Sequence, residues 1–160
     1  MTDTISKHER NLSAIIHGST LCRFFIPFGQ FILPLVLWLS NKERFAFVDY
    51  NGKQALNFQI SMFLYSFILG AVSIPFFLAS LPGLFDGGIL HWSDFHNFES
   101  FRIDLGDDGF GLPFAWWPLG IGTLLGFGLF VVNIVYTILA TIRTNEGEYF
   151  RYPFTIKFIK

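Results

Sequence analysis

His17 is the residue best placed for chemistry, because an imidazole exchanges a proton near neutral pH. Arg10, Ser13, His17 and Thr20 fall on one face of a helix. Ser13 and His17 at i, i+4 are the residue types of a nucleophile–base pair. The rest of such a site is missing: no third group orients the histidine and no strained turn presents the serine. The chain also has no Gly-x-Ser-x-Gly, no His-Glu-x-x-His and no phosphate loop. No aspartate lies in an apolar segment, which removes the paired carboxylates that intramembrane proteolysis needs. His91, Asp94, His96 and Glu99 are ligand types for a metal, but no standard spacing joins them. The run Asp104-Leu-Gly-Asp107-Asp108-Gly109 starts like a calcium loop and then fails. Its third position is Gly106, and Ala115 stands where the bidentate glutamate belongs. The expectation is a protein that is not an enzyme, with no catalytic, cofactor-binding or metal residues.

The elements that must carry these residues are apolar. Of 160 residues, 52% are hydrophobic, 14% are charged and 22 are Phe. Soluble domains carry about 25% charged residues, so this composition is that of a membrane protein. A net charge of -1 offers no field for nucleic acid. The single cysteine, Cys22, excludes an intrachain disulfide.

Residues 54–85 and 109–142 are each free of Asp, Glu, Lys and Arg. Both runs exceed the roughly 20 apolar residues that cross a bilayer. Transmembrane helices are expected over about 54–80 and 117–142, with Pro82-Gly83 ending the first, Pro75 kinking it, and Pro113 and Pro118 ahead of the second. Residues 12–40 are different, because Phe25-Ile26-Pro27-Phe28-Gly29 breaks the helix. Each half is then roughly 20 Å long, short of a hydrocarbon core of about 30 Å. Either the segment is a re-entrant or broken hairpin, or it is one long kinked span.

The cations favour the hairpin. Lys42, Arg44 and Lys53 lie in the 41–53 loop, and Arg143, Arg151, Lys157 and Lys160 follow the last span. Asp86, Asp94, Glu99, Asp104, Asp107 and Asp108 face a single Arg102 in the loop 81–116. The positive-inside rule puts the 41–53 loop and the tail 143–160 in the cytoplasm, and the acidic loop outside. Lys7 and Arg10 pull the N-terminal tail inside as well, which requires residues 12–40 to enter and return. Trp92, Trp116 and Trp117 fit an outer aromatic belt; Trp38, Tyr50, Tyr149 and Tyr152 fit an inner one. Arg23 then falls near the hairpin apex, where a charge needs a partner or room to snorkel. No secretory signal is visible in the first residues. The expected fold class is an all-α integral membrane protein, a single membrane domain over 1–160.

Polar residues inside these helices form three stripes. His17 belongs to the first; Gln54, Asn57, Ser61 and Tyr65 form the second; Asn133, Thr137 and Thr141 form the third. Contact among the stripes, with Gln59 added, would glue the bundle by interhelical hydrogen bonds; the alternative is a hydrophilic path. Gly122 and Gly126 form a G-x-x-x-G pair for close helix packing. Asp49 or Asn51 is placed to cap the helix after the 41–53 loop. Phe101 to Leu105 alternates like a short strand. The tail from Phe154 to Phe158 also alternates, like an interfacial strand whose lysines meet anionic headgroups.

Several motifs together resemble the Tic-twenty-like family of small bacterial membrane proteins. They are His17-x-Ser19; Phe25-Ile26-Pro27-Phe28-Gly29; Pro34-Leu35-x-Leu37-Trp38; Asp49-x-Asn51-Gly52-Lys53-x-Ala55-Leu56-Asn57-Phe58-Gln59; and Arg151-Tyr152-Pro153 near the end. The resemblance implies a bacterial cytoplasmic-membrane protein and an accessory role beside a protein-conducting or assembly complex. The long acidic outer loop departs from that family's compact pattern and points to a partner outside the membrane. The leading expectation is therefore a non-enzymatic subunit of a larger membrane complex, contacting lipid and other membrane subunits. A small homo-oligomeric channel or carrier, its path lined by the polar stripes, is the alternative.

Overall fold

In a computed structural model, residues 5–85 and 117–160 are described, with side chains for 5–75 and 120–160. All regular elements among them are helical. The helices are α1 (Lys7–Ser19), a 3-10 helix (Thr20–Phe24), α2 (Gly29–Asn41), α3 (Ala46–Phe85), a π-helical turn (Trp117–Gly122) and α4 (Thr123–Asn145). The loop features over 86–116, including the strand expected at Phe101, the calcium-like run, the His91 cluster and Trp92 and Trp116, lie outside the described residues.

Two helices are long and apolar enough to cross a membrane, Ala46–Pro75 and Gly120–Asn145. The most apolar window of the second is only 17% buried. Leu124, Phe127 and Val135 are 70%, 61% and 53% exposed, a cover of large side chains that water would not tolerate on this scale. α2 is apolar but shorter.

The chain divides into two compact units. One comprises Met1–Tyr65 with Leu129–Lys160, the other Ser66–Gly128.

In the larger unit, Ser6 and Glu9 form a reciprocal capping box that starts α1. α1 ends in the 3-10 helix, and α2 then packs back on both α1 and that 3-10 helix, making a broken helical hairpin. Phe28 at the turn takes φ 58°, and Gly29 follows because a Cβ there would stand 2.9 Å from the Cys22 carbonyl oxygen. Pro34 sits inside α2 without ending it. The ring of His8 meets Phe45, and the stem of Arg10 lies against Gly147. The start of α1, the short link between α2 and α3 and the end of α4 therefore share one end of this unit. Residues 12–40 leave that end and come back to it.

α3 begins at Ala46, well ahead of Gln54, so most of the 41–53 loop is helix. It also runs through Pro75 and past Pro82-Gly83 to Phe85. Asp49 and Asn51 are thus inside a helix and cap nothing. Asp49 accepts the Trp38 indole N–H at 2.9 Å and pairs with Lys53 at 2.6 Å. Gly52 lies under the Trp38 ring, where any Cβ would collide with it. Trp38, Val48, Ala55, Leu56 and Ile16 form one core cluster; Phe58, Met62, Ala140 and Tyr152 form the other.

α4 stops in a Schellman turn. Gly147, at φ 93°, bonds Thr144, and Glu148 reaches back to Arg143. The tail beyond is irregular, not the expected strand. Its backbone is held by a polar stripe of α3. Asn57 accepts from the N–H groups of Phe158 and Ile159 and donates to the Ile159 carbonyl; Ser61 accepts from Ile156; Tyr65 donates to the Phe154 carbonyl. Side chains supply what a neighbouring strand would otherwise supply.

In the smaller unit, Gly122, Gly126 and Gly70 line a cavity of about 280 Å³ with Ser66, Leu69, Ser73 and Thr123. A Cβ on Gly126 would sit 3.8 Å from Leu69, ordinary contact rather than a tight crossing.

Gly52→Ala should destabilise the purified protein by about 1–3 kcal/mol, the usual penalty of overpacking. Chemical denaturation in detergent measures it. The penalty should largely vanish in a Trp38→Leu background, and equal penalties in both backgrounds would disprove the contact.

Candidate functional site

Most of the sequence-predicted polar residues gather in the larger unit. Four segments meet at His17, which is fully buried. Its Nε2 lies 3.3 Å from Asn51 Oδ1, and its Nδ1 lies 2.9 Å from the Tyr152 hydroxyl. Asn51 donates its amide N–H to the Phe47 carbonyl at 2.9 Å, so Oδ1 is the atom turned to the histidine. An acceptor at Nε2 requires the proton there. Nδ1 is then the acceptor, and the Tyr152 hydroxyl donates to it. Thr144 also donates to Asn51 Oδ1, at 3.3 Å. Thr20 donates to the His17 carbonyl at 2.9 Å and stands 3.5 Å from the Thr137 hydroxyl. Beneath this network the Tyr152 ring stacks on Phe58, with centroids 4.0 Å apart and planes within 13°.

α1 and the tail lie outside the two candidate spans. Burial pushes His17 down to about 4, the Asn51 hydrogen bond opposing it, so the ring is neutral at physiological pH. Burial pushes the Tyr152 phenol well up. A neutral, doubly hydrogen-bonded imidazole without a nearby carboxylate is a connector and has no free lone pair for acid–base work. Ser13 is buried but makes no bond to it, and its hydroxyl has no hydrogen-bond partner among the described residues.

A second polar contact joins α3 to α4. Asn133 donates to Gln59 Oε1 at 3.1 Å, with both residues buried. The remaining amide atoms, Gln59 Nε2 and Asn133 Oδ1, have no hydrogen-bond partner among the described residues. The first and third stripes meet at Thr20 and Thr137, while Asn57 and Ser61 of the second hold the tail. Arg23 sits in the 3-10 helix at the hairpin turn, without an ion pair among the described residues. No group of three or more His, Cys, Asp or Glu suited to a metal occurs among those residues.

The structure gives physical roles to the motif residues. Asp49, Gly52 and Lys53 seat Trp38; Asn57 binds the tail; Phe58 stacks on Tyr152; Gln59 meets Asn133. Asn51 and Thr144 were missed as network members. Thr144 continues the Asn133/Thr137/Thr141 face, a signal visible in the sequence. Asn51 was hidden because Gly52 reads as a loop residue.

Tyr152→Phe leaves His17 Nδ1 buried without a donor and should cost about 1–3 kcal/mol by denaturation. A cost below 0.5 kcal/mol, roughly that of a surface change, would contradict the assignment. The linked pH effect has a definite sign. His17 binds a proton less readily folded than unfolded, so its contribution is complete above the unfolded value of 6.5 and falls away as pH drops toward about 4. The loss should reach roughly 3 kcal/mol near pH 4 and shrink in His17→Gln. Identical pH profiles for the two proteins would refute it.

Comparison with known proteins places the chain. A family model described as the magnetosome magnetite crystal formation protein family (MamF/MmsF) matches residues 8–159. No curated protein and no solved structure matches the chain. The match covers nearly the whole sequence, and the chain belongs to that family. This overturns the resemblance to the Tic-twenty-like family, and the link to protein translocation drawn from it has no support. The motif residues quoted for that resemblance make internal contacts of this fold.

Proposed function

We propose that this member of the MamF/MmsF family is a non-enzymatic membrane subunit of the assembly that forms magnetite crystals. The observation that carries the reading is the family match over residues 8–159. The internal geometry supports it. The polar residues that a channel would need along a path are engaged within the fold: His17 with Asn51 and Tyr152, Asn57 and Ser61 with the tail, and Gln59 with Asn133. The partners are the bilayer and other proteins of the same membrane.

In this reading the N-terminal tail, the α2–α3 link and the C-terminal tail face the cytoplasm. Their shared end of the larger unit and the Lys/Arg bias support that orientation. The hairpin enters the membrane and returns. Its turn carries Phe24, Phe25, Ile26 and Phe28, 53%, 85%, 50% and 65% exposed, and acyl chains are the natural cover for such a tip. The acidic loop 81–116 faces away from the cytoplasm. Magnetosome membranes are invaginations of the cytoplasmic membrane, so that side becomes the interior where crystals grow. Carboxylates are hard oxygen ligands suited to iron ions or to a growing oxide surface, so the loop is the segment that meets the mineral.

Two measurements test this. A cysteine at residue 4 should resist an impermeant thiol reagent applied outside intact cells and react after lysis; labelling from outside would overturn the orientation. Replacing the six loop carboxylates by Asn or Gln should change the crystal size distribution seen by electron microscopy, at unchanged protein level. An unchanged distribution would remove the loop from the mechanism.

A further inference from the structure

The tail leaves a cavity of about 380 Å³ against α3, lined by Gln54, Arg151, Tyr152, Pro153, Phe154, Thr155 and Lys157. Its lining is cationic and contains no carboxylate. The ion pairs among the described residues are Lys53–Asp49 and Arg143–Glu148, so Arg151 and Lys157 are not neutralised by either. The Gln54 side chain makes no hydrogen bond among those residues, and Thr155 makes only a long one, 3.4 Å to the Pro153 carbonyl.

These groups stand on a backbone that is held. Tyr152, next to Arg151, is buried against Phe58 and His17. Ile156 and Phe158, on either side of Lys157, donate their N–H groups to Ser61 and Asn57. Between the two cations, Phe154 takes φ 57°, a left-handed conformation uncommon for a bulky residue, and Tyr65 holds its carbonyl at 2.8 Å. The tail is bent into an arch with two cations at its feet, one guanidinium offering a planar fork of donors and one ammonium. The arch lies in the same unit as Asn145, the end of the second candidate span.

We propose that this cavity binds a phosphate-type anion, with Arg151 and Lys157 supplying charge and Gln54 and Thr155 supplying neutral hydrogen bonds. Such a group comes from two sources, the headgroup of an anionic phospholipid or a free phosphate compound. The exposed Phe154 at the rim suits the first, an apolar ring beside the cationic lining.

The test uses the full chain in neutral detergent. Native mass spectrometry reads binding of dioleoylphosphatidylglycerol, and calorimetry reads binding of inorganic phosphate. The wild type should hold one ligand, and Arg151→Gln/Lys157→Gln should bind it roughly 30-fold more weakly, about fivefold per charge. Gln54→Glu, which puts a carboxylate into the cavity, should weaken binding in the same direction. Arg44→Gln/Lys160→Gln removes the same charge elsewhere and should leave binding unchanged. Lipid binding that phosphate does not displace identifies a headgroup site; competition by phosphate identifies a free-phosphate site. Equal affinities for wild type and Arg151→Gln/Lys157→Gln, or an equal loss in the Arg44/Lys160 control, would overturn the proposal.

Discussion

Tyr152 is the residue on which the larger unit closes. Its ring lies flat on Phe58 of α3, and its hydroxyl donates to His17 of α1. The histidine passes the connection through Asn51 to Thr144 of α4. One aromatic residue of an irregular tail thus ties together three helices and the tail itself. The constraint behind it is burial: a polar group taken from water costs free energy unless it finds a partner, and His17, Asn51 and Tyr152 find theirs in one another. His17 satisfies both ring nitrogens and remains neutral, the cheapest state for an imidazole in that setting.

The same constraint explains the tail. A chain leaving the membrane boundary without helix or strand has a row of open N–H and C=O groups. Asn57, Ser61 and Tyr65, repeating at the helical period along one face of α3, meet that row. Each such bond contributes about 0.5–1.5 kcal/mol, but leaving one unmade at a buried site costs more. Helix and tail are therefore matched in register, and the arch that bears Arg151 and Lys157 is a consequence of that matching.

The apolar runs made two long apolar helices legible, because bilayer thickness sets a length that composition alone reveals. The hairpin break was legible too, in Pro27 and Gly29. The start of α3 was not. Gly52 reads as a helix breaker, yet it is small because the Trp38 ring lies on it. The polar stripes had the correct period, but period gives a face and not the neighbour on that face. Hence Asn57 and Ser61 suggested contact among helices, whereas they hold the tail. The tail's alternation suggested a strand, but its partner is a row of side chains and its path bends at Phe154. Motif residues engaged in such internal contacts suggested one family, and only the match over nearly the whole chain identified the right one.

The central claim is the lock between Tyr152, His17 and Asn51, and nitrogen NMR of the histidine-labelled chain in detergent tests it most directly. The His17 signal, identified by its loss in His17→Gln, should show a neutral ring protonated at Nε2 that persists as pH falls from 7.5 to 5. A ring protonated at Nδ1, or one that titrates near 6.5 as a solvent-exposed histidine does, would contradict the account.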